Sequence, residues 1–493
     1  MSDIRVTHSG FINLFTGLAR VAAAFVFITL ITRNLTVEEF GQYSLVLSVT
    51  VYFITSHWII SYWVTREIAR GFSSGKTAIL SSGLFSSVGY FLFILIATLV
   101  LDIPNLDFST ILLAGILIPL QLSQNVLTHI ATGWKPQFAS YGNLVLELSR
   151  VPLVFVFLMI LKMELNGVFI SLILSFIVSN VFLLYCNRSQ LHTKFSLSIL
   201  KNWLTRFWIS GYPSLISIIY TFDFLIVAIL ASPEIVGFYA AVLAIGSFVS
   251  HSKLVTVGVY PKLLGKDRGA YLNENFRLLL YFALLFSTLS IVFAKAGLFV
   301  LNPAYQTVSI GVFFISLRYF LFSIYDNFNL MLRATETIDE KINPMIKDFL
   351  TSKLFKLPTI QLIQYVSYIL ILSFSLIFIE FSTTFDLIFY WSVISLLTQI
   401  PSLVIISIWI KKERLIQVKP FTILKYFASL IPVYFLVDFL NNNFLNYGAN
   451  FFEFVLNVIL ILIVGIIAYI VITFIVDSNT RLILKSILFE IKK

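Results

Sequence analysis

Residues 34–49 read NLTVEEFGQYSLVLSV, and residues 230–245 read LASPEIVGFYAAVLAI. Setting Gly41 on Gly237 also sets Glu38 on Glu234, Tyr43 on Tyr239 and Leu47 on Leu243. In each copy an apolar run precedes a short acidic turn, and a second apolar run follows it. Such an internal repeat governs the whole fold. Here it divides the chain into two related helical halves that open with the same hairpin. Repeats joined within a membrane are the common build of transporters, with the substrate site between them.

Composition names the solvent. Hydrophobic residues make up 59% of the 493 and charged residues 12%, against about a quarter charged in an ordinary soluble domain. A water-soluble chain of this length has no way to hide so much apolar surface, so lipid must cover most of it. The net charge of +10 is spread over many short segments. That is the pattern of cytoplasmic membrane loops, not of a nucleic-acid surface. Cys186 is the only cysteine, which excludes an internal disulfide and a cysteine metal cluster.

A helix needs about 20 apolar residues to cross the hydrocarbon, and on that measure the chain has about fourteen spans. They run from 9–32 and 41–64, through 208–231 and 237–260, to 421–440 and 452–476. Span 9–32 is too long for the apolar core of a signal peptide, and Arg20 interrupts it. The apolar runs are long and lack a period of two, so strands are not expected. Lys and Arg corroborate the count. Loops near 66–76, 135, 188–206, 262–277, 333–356 and 411–419 are basic, while the alternate loops hold only Arg33 and Lys162. A missed or invented helix would break that alternation. By the positive-inside rule both termini are expected in the cytoplasm of a multi-pass cell-membrane protein.

The expected fold is therefore an all-α polytopic membrane protein of about fourteen helices. It comprises two pseudo-symmetric six-helix lobes, 1–200 and 201–412, followed by two C-terminal helices and a cytoplasmic tail over 413–493. An even number of crossings separates the two repeat copies, so the lobes share one orientation about an axis along the membrane normal. Residues 195–207 place Leu197, Leu200, Leu204 and Phe207 on one face, away from Lys201 and Arg206. They and residues 346–355 read as interfacial helices.

Ionisable groups inside spans are costly and mark function by default. Arg20, Lys253, Arg318 and His57 are such groups, and the repeat offset that carries Gly41 to Gly237 carries His57 to Lys253. Together they suit a cavity for an anion, phosphate above all, since Arg offers a planar fork and Lys a point charge. Asp223 and Asp326 are the buried acids and the candidates for H⁺ or Na⁺ coupling. Asp326 is also within reach of pairing with Arg318 or Arg333. Glu147 and Arg150 stand three apart, the spacing of an intrahelical pair, and read as structural. Pro119, Pro152, Pro213, Pro401 and Pro432 interrupt spans and bend helices. The chain has no Walker loop, HExxH, CxxC or GxSxG signature, no metal set is expected, and the outer acids stand on tight turns.

The opening FINLFTGLARVAAAFVFITLITRNLTVEEFGQYSLVLSV resembles the polysaccharide exporters of the multidrug/oligosaccharidyl-lipid/polysaccharide (MOP) superfamily, which include the O-antigen flippases. The entry FSLSILKNWLTRFWISGYPSLIS, the run TFDFLIVAILASPEIVGFYAAV and VYPKL at 259–263 carry the likeness into the second half. The resemblance implies two six-helix lobes around a central cavity that opens alternately inward and outward. It implies a lipid-linked oligosaccharide carried to the outer leaflet, without a cofactor. In related lipid II flippases cavity arginines on helices 1, 2 and 8 contact the diphosphate. Arg20 and Lys253 fit that scheme, while helix 2 offers only His57. The expected partners are the lipid-linked glycan, membrane lipids and glycan-assembly enzymes. Two other readings stand beside the flippase: an ion-coupled multidrug antiporter of the same superfamily, and a membrane glycosyltransferase. The excess of embedded bases disfavours the first, and the tight outer turns disfavour the second.

Overall fold

The structure, a computed structural model, describes residues 6–99, 107–192, 194–255, 268–335, 346–416, 420–448, 450–478 and 480–481. The stretch VYPKL, with Lys262 and Lys266, and the basic tail after residue 481 lie outside them. Among the described residues all regular structure is helical, without a strand. In chain order the helices are α1 (Val6–Asn34), α2 (Val37–Ile54), α3 (Trp58–Ala69), α4 (Gly75–Leu99), α5 (Phe108–Trp134) and α6 (Pro136–Val154). Next come α7 (Glu164–Cys186), α8 (Arg188–Leu191), α9 (Leu197–Thr205), α10 (Phe207–Tyr220), α11 (Phe222–Leu230) and α12 (Pro233–Gly246). The remainder are α13 (Arg268–Val292), α14 (Ala294–Leu301), α15 (Ser309–Ala334), α16 (Ile346–Thr351), α17 (Lys353–Phe378), α18 (Thr384–Leu397), α19 (Gln399–Lys412), α20 (Pro420–Phe444) and α21 (Phe451–Val476).

Thirteen segments among the described residues are long and apolar enough to cross a membrane. With the 29-residue α1 ahead of them they match the fourteen expected. Several expected spans are broken rods. A 3₁₀ turn, Thr55–His57, joins α2 to α3. A π turn, Phe155–Ile160, follows Pro152 near the end of α6. The chain also breaks at Thr398, between α18 and α19. Pro401 has no N–H for the Leu397 carbonyl four residues earlier, which ends the α18 ladder there.

The chain divides into two compact units, Met1–Ala240 with Glu336–Thr384, and Ala241–Thr335 with Phe385–Lys493. These units group helices by packing. The lobes expected from the repeat group them by sequence kinship, so the two divisions need not share boundaries.

In the first unit α5, α6 and α7 are tied by side chains that reach backbone carbonyls. Asn180 Nδ2 donates to Leu120 O at 3.0 Å, and Asn187 Nδ2 to Leu127 O at 3.0 Å. The two amides are seven residues apart, about two turns along one face of α7 and its C-cap. Ser179 Oγ donates to Gly142 O at 2.9 Å. In hydrocarbon such bonds hold helices together because apolar surface alone gives no preference for protein over lipid. The second unit packs around Tyr281, Tyr426 and Tyr469 on α13, α20 and α21, with Tyr281 Oη and Thr473 Oγ1 3.0 Å apart.

Helix α9 shows how an amphipathic segment is pinned. Trp203 is fully buried, and its indole N–H donates to Glu67 Oε1 on α3 at 2.8 Å. Leu197, Leu204 and Phe207 remain exposed, as a face meant for lipid would be. Trp203→Ala removes both the ring and the bond to a carboxylate. We expect a loss of about 3–5 kcal/mol from the cavity alone. It should be read as a lower melting temperature in detergent and faster proteolysis near residue 194.

Candidate functional site

The repeated hairpin is built by caps and by two glycines. Thr36 Oγ1 accepts from Glu39 N at 3.2 Å, and Glu39 Oε2 accepts from Thr36 N at 2.7 Å. This is a reciprocal capping box that starts α2. In the second copy Ser232 Oγ accepts from Ile235 N at 3.3 Å, and Pro233 occupies the first turn of α12, where its missing N–H costs nothing. The two copies then meet. A Cβ on Gly41 would fall within the carbonyl of Pro233, and a Cβ on Gly237 would fall within the carbonyl of Val37. The matched glycine that revealed the repeat is thus a mutual close approach between α2 and the start of α12.

The matched basic positions share a second feature. His57 closes the 3₁₀ turn Thr55–His57, and Lys253 lies in the 3₁₀ segment Ser247–Val255 that follows α12. Both repeats break the α ladder at the same place and set a basic side chain there. Tight 3₁₀ turns inside long helices frequently mark functional positions.

Each expected site residue has a defined environment. Arg20 is the midpoint of α1 and faces α6, within electrostatic reach of Glu147 and Arg150. Glu147 and Arg150 form the expected ion pair, and the Arg150 guanidinium sits 4.4 Å from the centre of the Phe27 ring of α1. His57 is buried, with Nδ1 3.1 Å from Ser61 Oγ. Its ring centre lies 4.9 Å from that of Trp58 and 5.8 Å from that of His129. Arg20 and His57 therefore belong to separate clusters of the first unit.

In the second unit Lys253 Nζ contacts Asp326 Oδ2 at 2.8 Å and lies 4.3 Å from the Phe322 ring centre. Asp326, expected among the buried acids, has half of its side chain exposed and pairs with Lys253 from another segment. Arg318 is buried in α15, its guanidinium 5.2 Å from the Tyr319 ring centre.

Asp223 stands in the first turn of α11, just after the break at Thr221, and is 1% exposed. Its Oδ2 accepts from Tyr368 Oη on α17 at 2.7 Å, and its Oδ1 from Phe224 N at 2.8 Å. Tyr220 stacks on Tyr368 with ring centres 5.4 Å apart. A buried carboxylate so provided is held by an O–H donor and a helix N-terminus.

Sequence reasoning missed His129 and Tyr368 as members of these clusters. Both sit on helices far away in the chain, and the only available signal was that each is a polar group within an apolar span.

The same architecture is found in solved transporters. The lipid II flippase MurJ, in an inward closed conformation, aligns at a TM-score of 0.60 and 15% identity, over 96% of this chain and 98% of its own. An inward-facing multidrug resistance MATE family transporter of the MOP superfamily aligns at 0.60 and 10% identity, over 82% and 98%. A MOP superfamily transporter from Pyrococcus furiosus, whose binding pocket has reversed polarity, aligns at 0.54 and 11% identity, over 82% and 95%. No curated protein sequence matches the chain. The fold is that of MOP superfamily transporters, and the apolar spans make the protein a multi-pass membrane protein. The family model described as polysaccharide biosynthesis protein matches residues 6–263, more than half of the length, and the chain belongs to that family.

Proposed function

We propose that the protein is a flippase that moves a polyprenyl-linked oligosaccharide, with its phosphate or diphosphate head, from the cytoplasmic to the outer leaflet of the cell membrane. The observation that carries the reading is the surplus of basic groups within the spans. Arg20, Lys253 and Arg318, with Arg150 beside Arg20, all lie within apolar helices, where a cation is costly. An anionic head group answers that charge. The family match supports a glycan substrate, since the family is one of polysaccharide biosynthesis. An apolar groove of about 300 Å³, lined by Leu284, Phe320, Phe427, Leu430, Tyr434 and Phe435, offers surface of the right chemistry for a prenyl chain. The membrane potential, negative inside, favours moving an anion outward by about 2.3 kcal/mol per charge per 100 mV.

Binding tests the reading. Full-length protein in nanodiscs should be stabilised against heat by farnesyl diphosphate and left unchanged by the cationic dye ethidium. The opposite pattern would favour a multidrug antiporter.

Coupling is the second part of the proposal. Asp223, buried and held by Tyr368, is the first candidate for H⁺ or Na⁺, and Asp326 the second. Asp223→Asn keeps the shape but removes the exchangeable charge. Its transport should lose most of its dependence on an imposed H⁺ or Na⁺ gradient while keeping its dependence on membrane potential. An unchanged gradient response would remove Asp223 from the coupling role.

A further inference from the structure

The cluster formed by Arg20, Glu147 and Arg150 is incompletely satisfied. It joins two guanidinium groups to one carboxylate and carries a surplus positive charge between α1 and α6. Arg150 and Glu147 pair within α6, and the face of Phe27 holds the Arg150 fork in place. Tyr43, the tyrosine of the repeated hairpin, is buried and interacts electrostatically with both Arg150 and Glu147. Among the described residues the buried Nε atoms of Arg20 and Arg150 have no hydrogen-bond acceptor. A buried N–H left without an acceptor is destabilising, and more so when it carries charge. The Arg150 and Glu147 side chains keep 19% and 13% of their surface exposed, so an incoming group has access to them.

We infer that Arg150 is a second cation of the site that holds the phosphate of the lipid-linked substrate beside Arg20, and that Glu147 is its internal stand-in anion. With no substrate present, Glu147 occupies the Arg150 fork. A phosphate presents more acceptor oxygens than a carboxylate, so it takes the exposed side of the Arg150 fork and displaces Glu147, and the freed guanidinium groups then turn their Nε donors toward it. The carboxylate thereby competes with the substrate and keeps the resting site from holding other lipid anions. This inference rests on the flippase reading, and the experiment separates the two.

Farnesyl diphosphate is titrated into full-length wild type, Glu147→Gln, Arg150→Gln and Arg150→Lys in nanodiscs, with inorganic pyrophosphate and dioleoyl phosphatidic acid as parallel probes. Each variant is first checked for a single symmetric size-exclusion peak. Glu147→Gln is expected to tighten farnesyl diphosphate binding about tenfold, the size of one charge-assisted hydrogen bond. Arg150→Gln should weaken it by a similar factor, and Arg150→Lys should recover part of the loss. Pyrophosphate should bind more weakly than farnesyl diphosphate but follow the same order of variants. Wild type that binds farnesyl diphosphate while Glu147→Gln and Arg150→Gln bind it equally well would overturn the inference and leave the flippase reading standing. Wild type that does not bind it at all would overturn both. Equal wild-type affinity for phosphatidic acid would overturn the assignment of the site to the prenyl-linked substrate.

Discussion

Replacing Arg20, Lys253 and Arg318 together by glutamine is expected to cut glycan export below about one hundredth of the wild-type rate, with the protein still present in the membrane. A charge-assisted hydrogen bond to an anion contributes about 1.5–3 kcal/mol, so each such bond removed weakens anion binding roughly ten- to a hundredfold. The three residues stand in three different surroundings: Arg20 beside the Glu147–Arg150 pair, Lys253 on Asp326, and Arg318 buried within α15. No single local distortion accounts for a common defect. Removing Lys253 takes away the ion-pair partner of Asp326, so Lys253→Gln is to be compared with Lys253→Gln/Asp326→Asn. If the charge matters to substrate rather than to folding, the double variant stays as defective as the single one. Export is measured by surface glycan in a host that supplies the linked substrate. Undiminished export by the triple variant would remove the anion-binding role from these residues.

The second large effect is expected at the glycines. Gly41→Val places its first side-chain atom inside the carbonyl of Pro233, and Gly237→Val does the same to Val37. The obstructing atoms are backbone and have no rotamer to yield. Overpacking a close-packed junction costs about 1–3 kcal/mol even where side chains can move, so a larger cost is expected here. Gly83→Val is the control, because nothing lies within 4 Å of a Cβ there. Melting temperature in detergent should fall sharply for Gly41→Val and Gly237→Val and hardly change for Gly83→Val. A second expectation follows from the reciprocity of the close approach. Gly41→Ala combined with Gly237→Ala should be markedly worse than the sum of the singles, since both push on the same junction. Simple additivity would mean that the two helix starts yield independently.

Much of the architecture was legible in the amino-acid order because lipid imposes so few solutions. Spans of about 20 apolar residues must be helices, and the alternation of basic and bare loops counts the crossings. The pair Gly41 and Gly237 was visible as a repeat, although the reason for glycine emerges only where the two turns touch. The side-chain pairing was not legible to the same degree. Asp326 lies two helical turns from both Arg318 and Arg333, so local spacing suggested a partner on its own helix, yet Lys253 from the 3₁₀ segment reaches it. His57 read as one of four cavity bases, and it is buried beside His129. Both misses share a cause. In a membrane helix the face toward lipid and the face toward protein are equally apolar, so composition does not report the rotation of the helix about its axis. The breaks at Thr55–His57 and Ser247–Val255 were hidden as well, because no proline or glycine announces the first of them.

The decisive measurement is transport in proteoliposomes of defined orientation. Purified full-length protein is reconstituted with a fluorescent prenyl-diphosphate-linked sugar, and its arrival in the opposite leaflet is followed by a membrane-impermeant quencher. The account predicts protein-dependent movement that accelerates when the potential is set to draw anions toward the outer side, and that is abolished in the Arg20/Lys253/Arg318 triple variant. Movement of ethidium with no movement of the prenyl-linked sugar would contradict it.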